Sequence, residues 1–416
     1  MEKQKCPEIR FNQFNENWSI TSLGDLMKVG SVKRVHQADW CKTGVRFLRA
    51  RDIVAFAKNE DIADPIYISS DRYEEYSKLS GTVKVGDLLV TGVGTIGVPM
   101  LVKNDDPLYF KDGNVIWFKN ENAINGLFLY YSFINKTTQN FIKDSAGIGT
   151  VGTYTITSGK RTPIYLPKEN EQTQIGIFFK NLDQSIALHE KKLAQTKNLK
   201  KAMLEKMFPK VGNKQPEIRL KGFSGDWELK SLSDVSEKFE YGLNAQATTF
   251  DGINKYIRIT DIDDESRKFI LADITSPNIC FENCEKYKLS TGDILFARTG
   301  ASVGKTYIYL EEDGLVYFAG FLIRAKVKDT FDANFIFTNT LTERFNKFVL
   351  LTSQRSGQPG INAKEYGEYE FYCPNKDEQE SIGRFFRYLD ETLVLQQQQL
   401  QTLKNLKQAF LEKMFV

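Results

Sequence analysis

A chain of 416 residues has room for two or three ordinary domains. With 41% apolar and 26% charged residues it reads as a folded globular protein, not a disordered, collagen-like or membrane-spanning one. Lys plus Arg number 56 against 53 Asp plus Glu, so net charge makes no case for nucleic acid and any basic surface must be local.

The five cysteines are odd in number and scattered, which excludes a disulfide framework; a zinc site would need Cys280, Cys284 and Cys373 together. Only two histidines are present, His36 and His189, which leaves little for triad or His-rich metal chemistry. No run of about 18 apolar residues exists, and Met1–Pro7 carries lysines with no apolar stretch behind them. A cytoplasmic protein is expected.

In chain order, Pro7-Glu8-Ile9-Arg10 opens a segment that carries Phe14, Trp18, Ser22, Leu23 and Asp25. A basic loop at Lys33-Arg34 precedes a strand-like run, Val45-Arg46-Phe47-Leu48, and then Arg49-Ala50-Arg51-Asp52. Gly86-Asp87-Leu88-Leu89 reads as a strand running into Gly92-Val93-Gly94-Thr95-Ile96-Gly97. That stretch fits G-x-G-x-x-G, but Val98-Pro99 and another strand-like run follow where a dinucleotide site needs a helix. Asp106-Pro107-Leu108-Tyr109 resembles the Asp-Pro-Pro-Tyr tetrapeptide of amino-methyltransferases with leucine for the second proline, and is read as a loop. A helical pattern covers 126–142, and Gly147-Ile148-Gly149-Thr150-Val151-Gly152 follows. After Pro167 and an acidic start, a long helix over 171–208 repeats apolar or tolerated residues in steps of three and four: Ile175, Phe179, Leu182, Ile186, His189, Leu193, Thr196, Met203 and Met207.

Past a linker at 208–216 the series begins again. Pro216-Glu217-Ile218-Arg219, Phe223, Trp227, Ser231, Leu232 and Asp234 repeat the opening at an offset of 209. Tyr256-Ile257-Arg258-Ile259-Thr260-Asp261-Ile262 keeps that offset, and Gly292-Asp293-Ile294-Leu295 follows. Gly300-Ala301-Ser302-Val303-Gly304-Lys305-Thr306 is one residue short of a phosphate-binding P-loop and leads into a strand. It fills the slot of Gly92–Gly97, so both are read as one glycine-rich turn between strands. A helical pattern over 334–350 precedes the second long helix, with Ile382, Phe386, Leu389, Leu393, Gln396, Leu400, Leu403, Phe410 and Met414 on its seam. Both long helices end in Leu-Glu-Lys-Met-Phe, at 204–208 and 411–415.

Residues 54–80 and 263–285 have little in common, so each copy couples a shared scaffold to a divergent part. The fold expected is α+β, two pseudo-repeated globular segments joined by two long helices. An exposed apolar stripe needs a partner, and the expected one is the other helix, packed antiparallel. Two divergent units on a rigid spacer suit a bipartite linear target, and DNA offers half-sites along one face. Candidate contacts in the first copy are Lys33, Arg34, Arg46, Arg51, Thr91, Thr95, Lys160 and Arg161. In the second they are Lys255, Arg298, Thr299, Lys305, Arg355 and Gln358. Arg can pair with guanine, Gln with adenine, and Lys or Thr near a glycine turn can hold phosphate. Arg49 and Arg258 are read instead as structural partners of Asp52 and Asp261.

The order of these features, twice over, with Ser356-Gly357-Gln358-Pro359-Gly360-Ile361-Asn362 in the second copy, resembles the DNA-specificity subunit of type I restriction-modification enzymes. The resemblance implies target-recognition domains at 1–165 and 211–373, each reading half of a bipartite asymmetric site. It implies spacer helices at 166–210 and 374–416 that form an antiparallel coiled coil and dock two methyltransferase subunits, which restriction/translocase subunits join. It implies a non-catalytic chain with no cofactor, metal or membrane contact of its own. N6-adenine methylation and ATP-dependent cleavage, with S-adenosylmethionine, ATP and Mg, would lie on the partners. The alternatives are an architectural coiled-coil protein binding DNA without sequence preference, and a self-contained enzyme built on the glycine turns.

Overall fold

The computed structural model describes residues 6–58, 60–146 and 152–416. The chain divides into two compact units, Met1–Glu190 with Gln399–Val416, and Lys191–Gln398. Two 38-residue helices, Glu169–Lys206 and Lys376–Lys413, each about 57 Å long, give one half to each unit. Among the described residues no helix is long and apolar enough to cross a membrane.

Both units are built on the same antiparallel four-stranded sheet. In the first its order is Lys28–Gly30, Val115–Lys119, Leu88–Thr91, Pro99–Leu101; in the second it is Ser236–Tyr241, Leu322–Val327, Asp293–Ala297, Thr306–Ile308. The central strand is apolar on both faces because it divides two cores, and side chains alternate between them. Leu88 and Val90 face a core with Trp18, Phe128 and Phe179, while Leu89 faces one with Phe47, Ile53 and Trp117. Ile294 and Phe296 repeat the first arrangement, Leu295 the second. The first core joins the sheet to the long helices and holds the residues repeated between copies. The second core lies under the divergent part.

That part is built differently in each unit. In the first, helix Ala50–Ala57, strand Ile66–Ile68 and helix Ser70–Ser80 surround strand Val45–Leu48. In the second, the stretch after Lys255–Ile257 forms no α-helix, and Thr275–Pro277 pairs with Ala247–Thr249. Arg49 and Arg258 are structural, as expected. Each fork spans the carboxylate three residues on, Arg49 to Asp52 at 2.9 and 2.8 Å, Arg258 to Asp261 at 2.8 Å twice.

Two helical patterns are broken where a single helix was expected. The 126–142 stretch is Gly126–Ile134 and Lys136–Ser145, because Asn135 leaves the helix and its side chain caps the Thr138 amide at 2.8 Å. The 334–350 stretch is Ala333–Asn339 and Glu343–Thr352, with Thr342 as the cap. The long helices pair antiparallel inside each unit. In the first, Phe178 meets Phe410, Asp183 pairs with Lys407, and Glu190 with Lys404. In the second, Lys200 pairs with Asp390 and Phe208 meets Phe386.

The acidic helix starts do more than complement a helix dipole. Glu171 is buried and takes both arms of the Arg10 guanidinium at 2.6 and 2.7 Å; Glu378 takes those of Arg219 at 2.8 and 2.7 Å. The next residue is equally matched: Gln172 accepts the Asn125 amide and donates to Pro167 O, as Gln379 accepts the Asp332 amide and donates to Pro374 O. The Pro-Glu-Ile-Arg openings are therefore tied to the helix starts by a buried clamp.

Cys373 ends the strand Glu370–Cys373, where burial pushes its thiol up to about 12. Its alkylation by iodoacetamide at pH 8 is expected to lag that of exposed Cys41 and Cys280 by more than tenfold until denaturant is added. Peptide mass mapping reads this directly, and equal labelling would contradict the packing.

Candidate nucleic-acid interface

The glycine turn leaves the central strand at the same backbone node in each unit. In the first, Gly92 N–H donates to Asn114 O at 2.8 Å, and Gly92 O accepts from Tyr154 N–H at 2.9 Å. In the second, Arg298 N–H donates to Phe321 O at 3.0 Å, and Arg298 O accepts from Ile361 N–H at 2.9 Å. Gly92 and Arg298 are thus structural equivalents, as are Asn114 and Phe321. Both turns lead on into strands, as their sequence predicts, the second through a single 3-10 turn at Gly300–Ser302.

Glycine is required at the first node. A Cβ on Gly92 would lie 2.7 Å from Tyr154 O, a backbone atom that cannot swing aside. Gly92→Ala is expected to cost about 1–3 kcal/mol through overpacking, measured as a fall in the urea midpoint. An unchanged midpoint would show that the segment around Tyr154 yields.

A second equivalence lies beneath the turn. Asp87 and Asp293 are both buried at the strand start. Asp87 accepts the Trp117 indole N–H at 2.9 Å, while Asp293 faces Arg324 at 3.2 Å. Burial pushes the Asp293 carboxyl up, opposed by the Ser290 amide and by Arg324. One anchoring acid therefore has two different partners, which leaves the scaffold intact while the residues above it change.

Three expected contacts are corrected by this geometry. Thr91 is buried, its hydroxyl donating to Thr95 O at 2.5 Å and accepting from Val98 N–H at 2.9 Å, so it holds the turn shut. Lys305 is buried too, its ammonium on Ile262 O at 3.0 Å and Asp264 at 2.6 Å. Lys255 is half-buried and spends its ammonium on Asp313 O at 2.6 Å. The Thr91 hydroxyl is fully used inside the turn, and both ammoniums are already engaged by oxygens of the protein.

The others lie at or near the surface. Lys33, Arg34, Arg51, Thr95, Lys160 and Arg161 are exposed in the first unit, with Arg34 on Asp112 at 2.9 Å. Arg46 is half-buried over the Tyr67 ring, 5.4 Å from its centroid. In the second unit Thr299 bridges to Gly360, and Gln358 lies against Gly300. Arg355 is held by Glu365 and by two carbonyls. Arg298 lies over the Tyr241 ring, 4.9 Å from its centroid. The structure gathers Arg298, Thr299 and Gln358 at one node and does not gather the first unit's candidates comparably. Of Gly147–Gly152, residues 147–151 lie outside the described residues. Sequence reasoning missed Tyr241, Phe321 and Asn114. The available signal was an aromatic or amide beside a glycine at a strand end, in Tyr241-Gly242, Gly320-Phe321 and Gly113-Asn114.

The family described as type I restriction modification DNA specificity domain matches twice, at residues 15–198 and 224–405. A Haemophilus influenzae protein named as a type I restriction enzyme specificity subunit is 28% identical over 161 residues, 38% of each chain. A Methanocaldococcus jannaschii protein, named as the type I restriction enzyme MjaX specificity subunit, is 26% identical over 201 residues, 46% of this chain and 45% of that one. The matched regions thus span less than half the length of these curated relatives. Among solved structures, the S subunit of a type I restriction-modification system from M. genitalium superposes with a TM-score of 0.60 at 16% identity, covering 99% of both chains. A chain from a structure of type I R-M complex assembly and conformational transition gives 0.53 at 16% identity, covering 95% of this chain and 96% of that one. At these identities the likeness is one of fold.

Proposed function

The chain belongs to the type I restriction modification DNA specificity family, and from that premise we propose that it selects the DNA site for a type I restriction-modification complex. Target-recognition domains at 1–165 and 211–373 each read one half of a bipartite, asymmetric site. The spacer segments 166–210 and 374–416 set the gap and dock two methyltransferase subunits, which restriction/translocase subunits join. The chain performs no chemistry. N6-adenine methylation and ATP-dependent cleavage, with their S-adenosylmethionine, ATP and Mg, belong to the partners, and the complex works in the cytoplasm. The proposed DNA contacts are Lys33, Arg34, Arg46, Arg51, Thr95, Lys160, Arg161, Arg298, Thr299, Arg355 and Gln358.

The observation that carries this reading is a duplicated scaffold with unlike surfaces at its equivalent node. The units share a sheet, a buried Arg–Glu clamp and an anchoring aspartate. Yet one presents Gly92 and Asn114 where the other presents Arg298 and Phe321. A binder without sequence preference has no use for that difference. The test is a genome-wide map of N6-methyladenine in cells expressing the methyltransferase partner, with and without this chain. One split, asymmetric motif that appears only with the chain is expected. Identical maps, with the partner active, would overturn the reading.

A further inference from the structure

Resting on the DNA-recognition reading, we infer that Arg298, Tyr241, Phe321 and Gln358 form the base-reading head of the second unit, and that its central contact is a guanine read by Arg298. Among the described residues the Arg298 guanidinium has no carboxylate or carbonyl partner. Arg258, Arg324 and Arg355 in the same unit are all ion-paired. What Arg298 has is the face of Tyr241. The tyrosine is itself anchored, its hydroxyl accepting the Ala363 amide at 3.2 Å and its backbone registered against Ile323. A guanidinium laid on an anchored ring loses rotamer freedom but keeps its fork of donors, the geometry that matches O6 and N7 of guanine in the major groove.

Phe321 stands beside it, bonded through its carbonyl to the Arg298 amide. Its ring is 59% exposed and Tyr241 is 44% exposed. Folding leaves most of the Phe321 surface open, beside a second exposed ring. At a DNA surface the same ring covers a thymine methyl or the face of an unstacked base. Gln358 brings an amide to the rim of the same node, against Gly300, where a Cβ would lie 2.8 Å from its Nε2. That glycine, at φ +71°, leaves the space the amide occupies.

The first unit cannot present this head. Its equivalent of Arg298 is Gly92, where the Tyr154 carbonyl leaves no room for a side chain, and its equivalent of Phe321 is Asn114. The guanine-reading contact therefore belongs to one half of the split site alone.

The test maps N6-methyladenine in cells expressing the full chain with its methyltransferase partner, comparing wild type with R298A, R298K and F321N. R298A is expected to relax one G·C position in one half of the motif. Discrimination there should fall roughly 10- to 100-fold, with the other half and the gap unchanged. R298K, which keeps charge but not the fork, should relax the same position. F321N lies on an exposed side chain, so it tests the head even if the arginine variants fail to accumulate; it should alter preference in the same half only. A wild-type split motif reproduced unchanged by R298A, or by R298K and F321N together, overturns this assignment while leaving the recognition reading intact. Equal weakening of both halves overturns it too. A wild-type map with no split motif overturns the recognition reading itself.

Discussion

Arg219→Ala lowers the stability of the second unit by about 3–5 kcal/mol, because it strands the Glu378 carboxylate with its charge uncompensated. Glu378 is 0% exposed and receives both arms of the guanidinium. Arg219 also holds the carbonyls of Ser224 and Gly225, so its removal loosens the turn before Trp227 as well. The pair itself need not be worth that much. Taking two charges out of water offsets most of their attraction, and an apolar replacement of both can be neutral. The double variant R219M/E378M is therefore expected to recover most of the loss. Hydrogen exchange at the start of the second long helix, with urea unfolding followed unit by unit, separates the two results. A single-variant loss below about 1 kcal/mol would mean that water reaches Glu378. Arg10→Ala should act alike in the first unit, where Glu171 raises the proton affinity of the guanidinium through their hydrogen bonds.

Phe415→Ala is the second large effect, expected at about 3–5 kcal/mol. Its ring lies 5.6 Å from Phe128, 5.8 Å from Phe179 and 6.4 Å from Trp18, in the core that joins sheet to helices. Phe208 takes the same position in the second unit, 5.5 Å from Phe335, 6.0 Å from Phe386 and 6.3 Å from Trp227. The Leu-Glu-Lys-Met-Phe endings are plugs, and each fills a cavity that no local residue can close. Removing a ring leaves an aromatic-lined void against a buried tryptophan. Thermal unfolding of the first unit should begin lower, with the joint emission of Trp18, Trp40 and Trp117 reporting at the new midpoint. F208A should shift the second unit and leave the first in place; a common shift for either variant would mean that the units do not melt separately.

These plugs and clamps were half legible in the sequence. Repetition in one order, at an offset of 209 for the openings and 207 for the helix starts and endings, exposed all three, because residues that build one scaffold twice must recur in the same sequence. It also separated Arg49 and Arg258 from surface candidates, since both copies keep their aspartates. What repetition does not carry is direction. Glu171 and Glu378 read as acids suited to a helix dipole, and only folding brought the distant arginines to them. Thr91 and Lys305 stood beside glycine turns like phosphate ligands, yet one hydroxyl closes its own turn and one ammonium caps a carbonyl. Tyr241 and Phe321 escaped notice for the converse reason. A lone aromatic in a strand-rich segment is ordinarily core, and both point outward because the strand ends there. Asn135 and Thr342 broke expected helices through caps that apolar periodicity does not register.

The amide of Ile218 donates to Lys206 O at 2.9 Å, just past the linker, and the amide of Ile9 donates to Lys413 O at the same distance. The first joins residues on either side of the linker and the second joins residues far apart in the chain, yet the two hydrogen bonds are alike. Connectivity is thus incidental to the architecture. A gene that fused the region after Phe415 to the region before Pro7, and opened the chain between Phe208 and Pro216, would encode a circular permutant with every core contact preserved. Two half-length chains, each a single opening, sheet and helix, could close both junctions on one another as a homodimer. Such a pair would present the same turn twice.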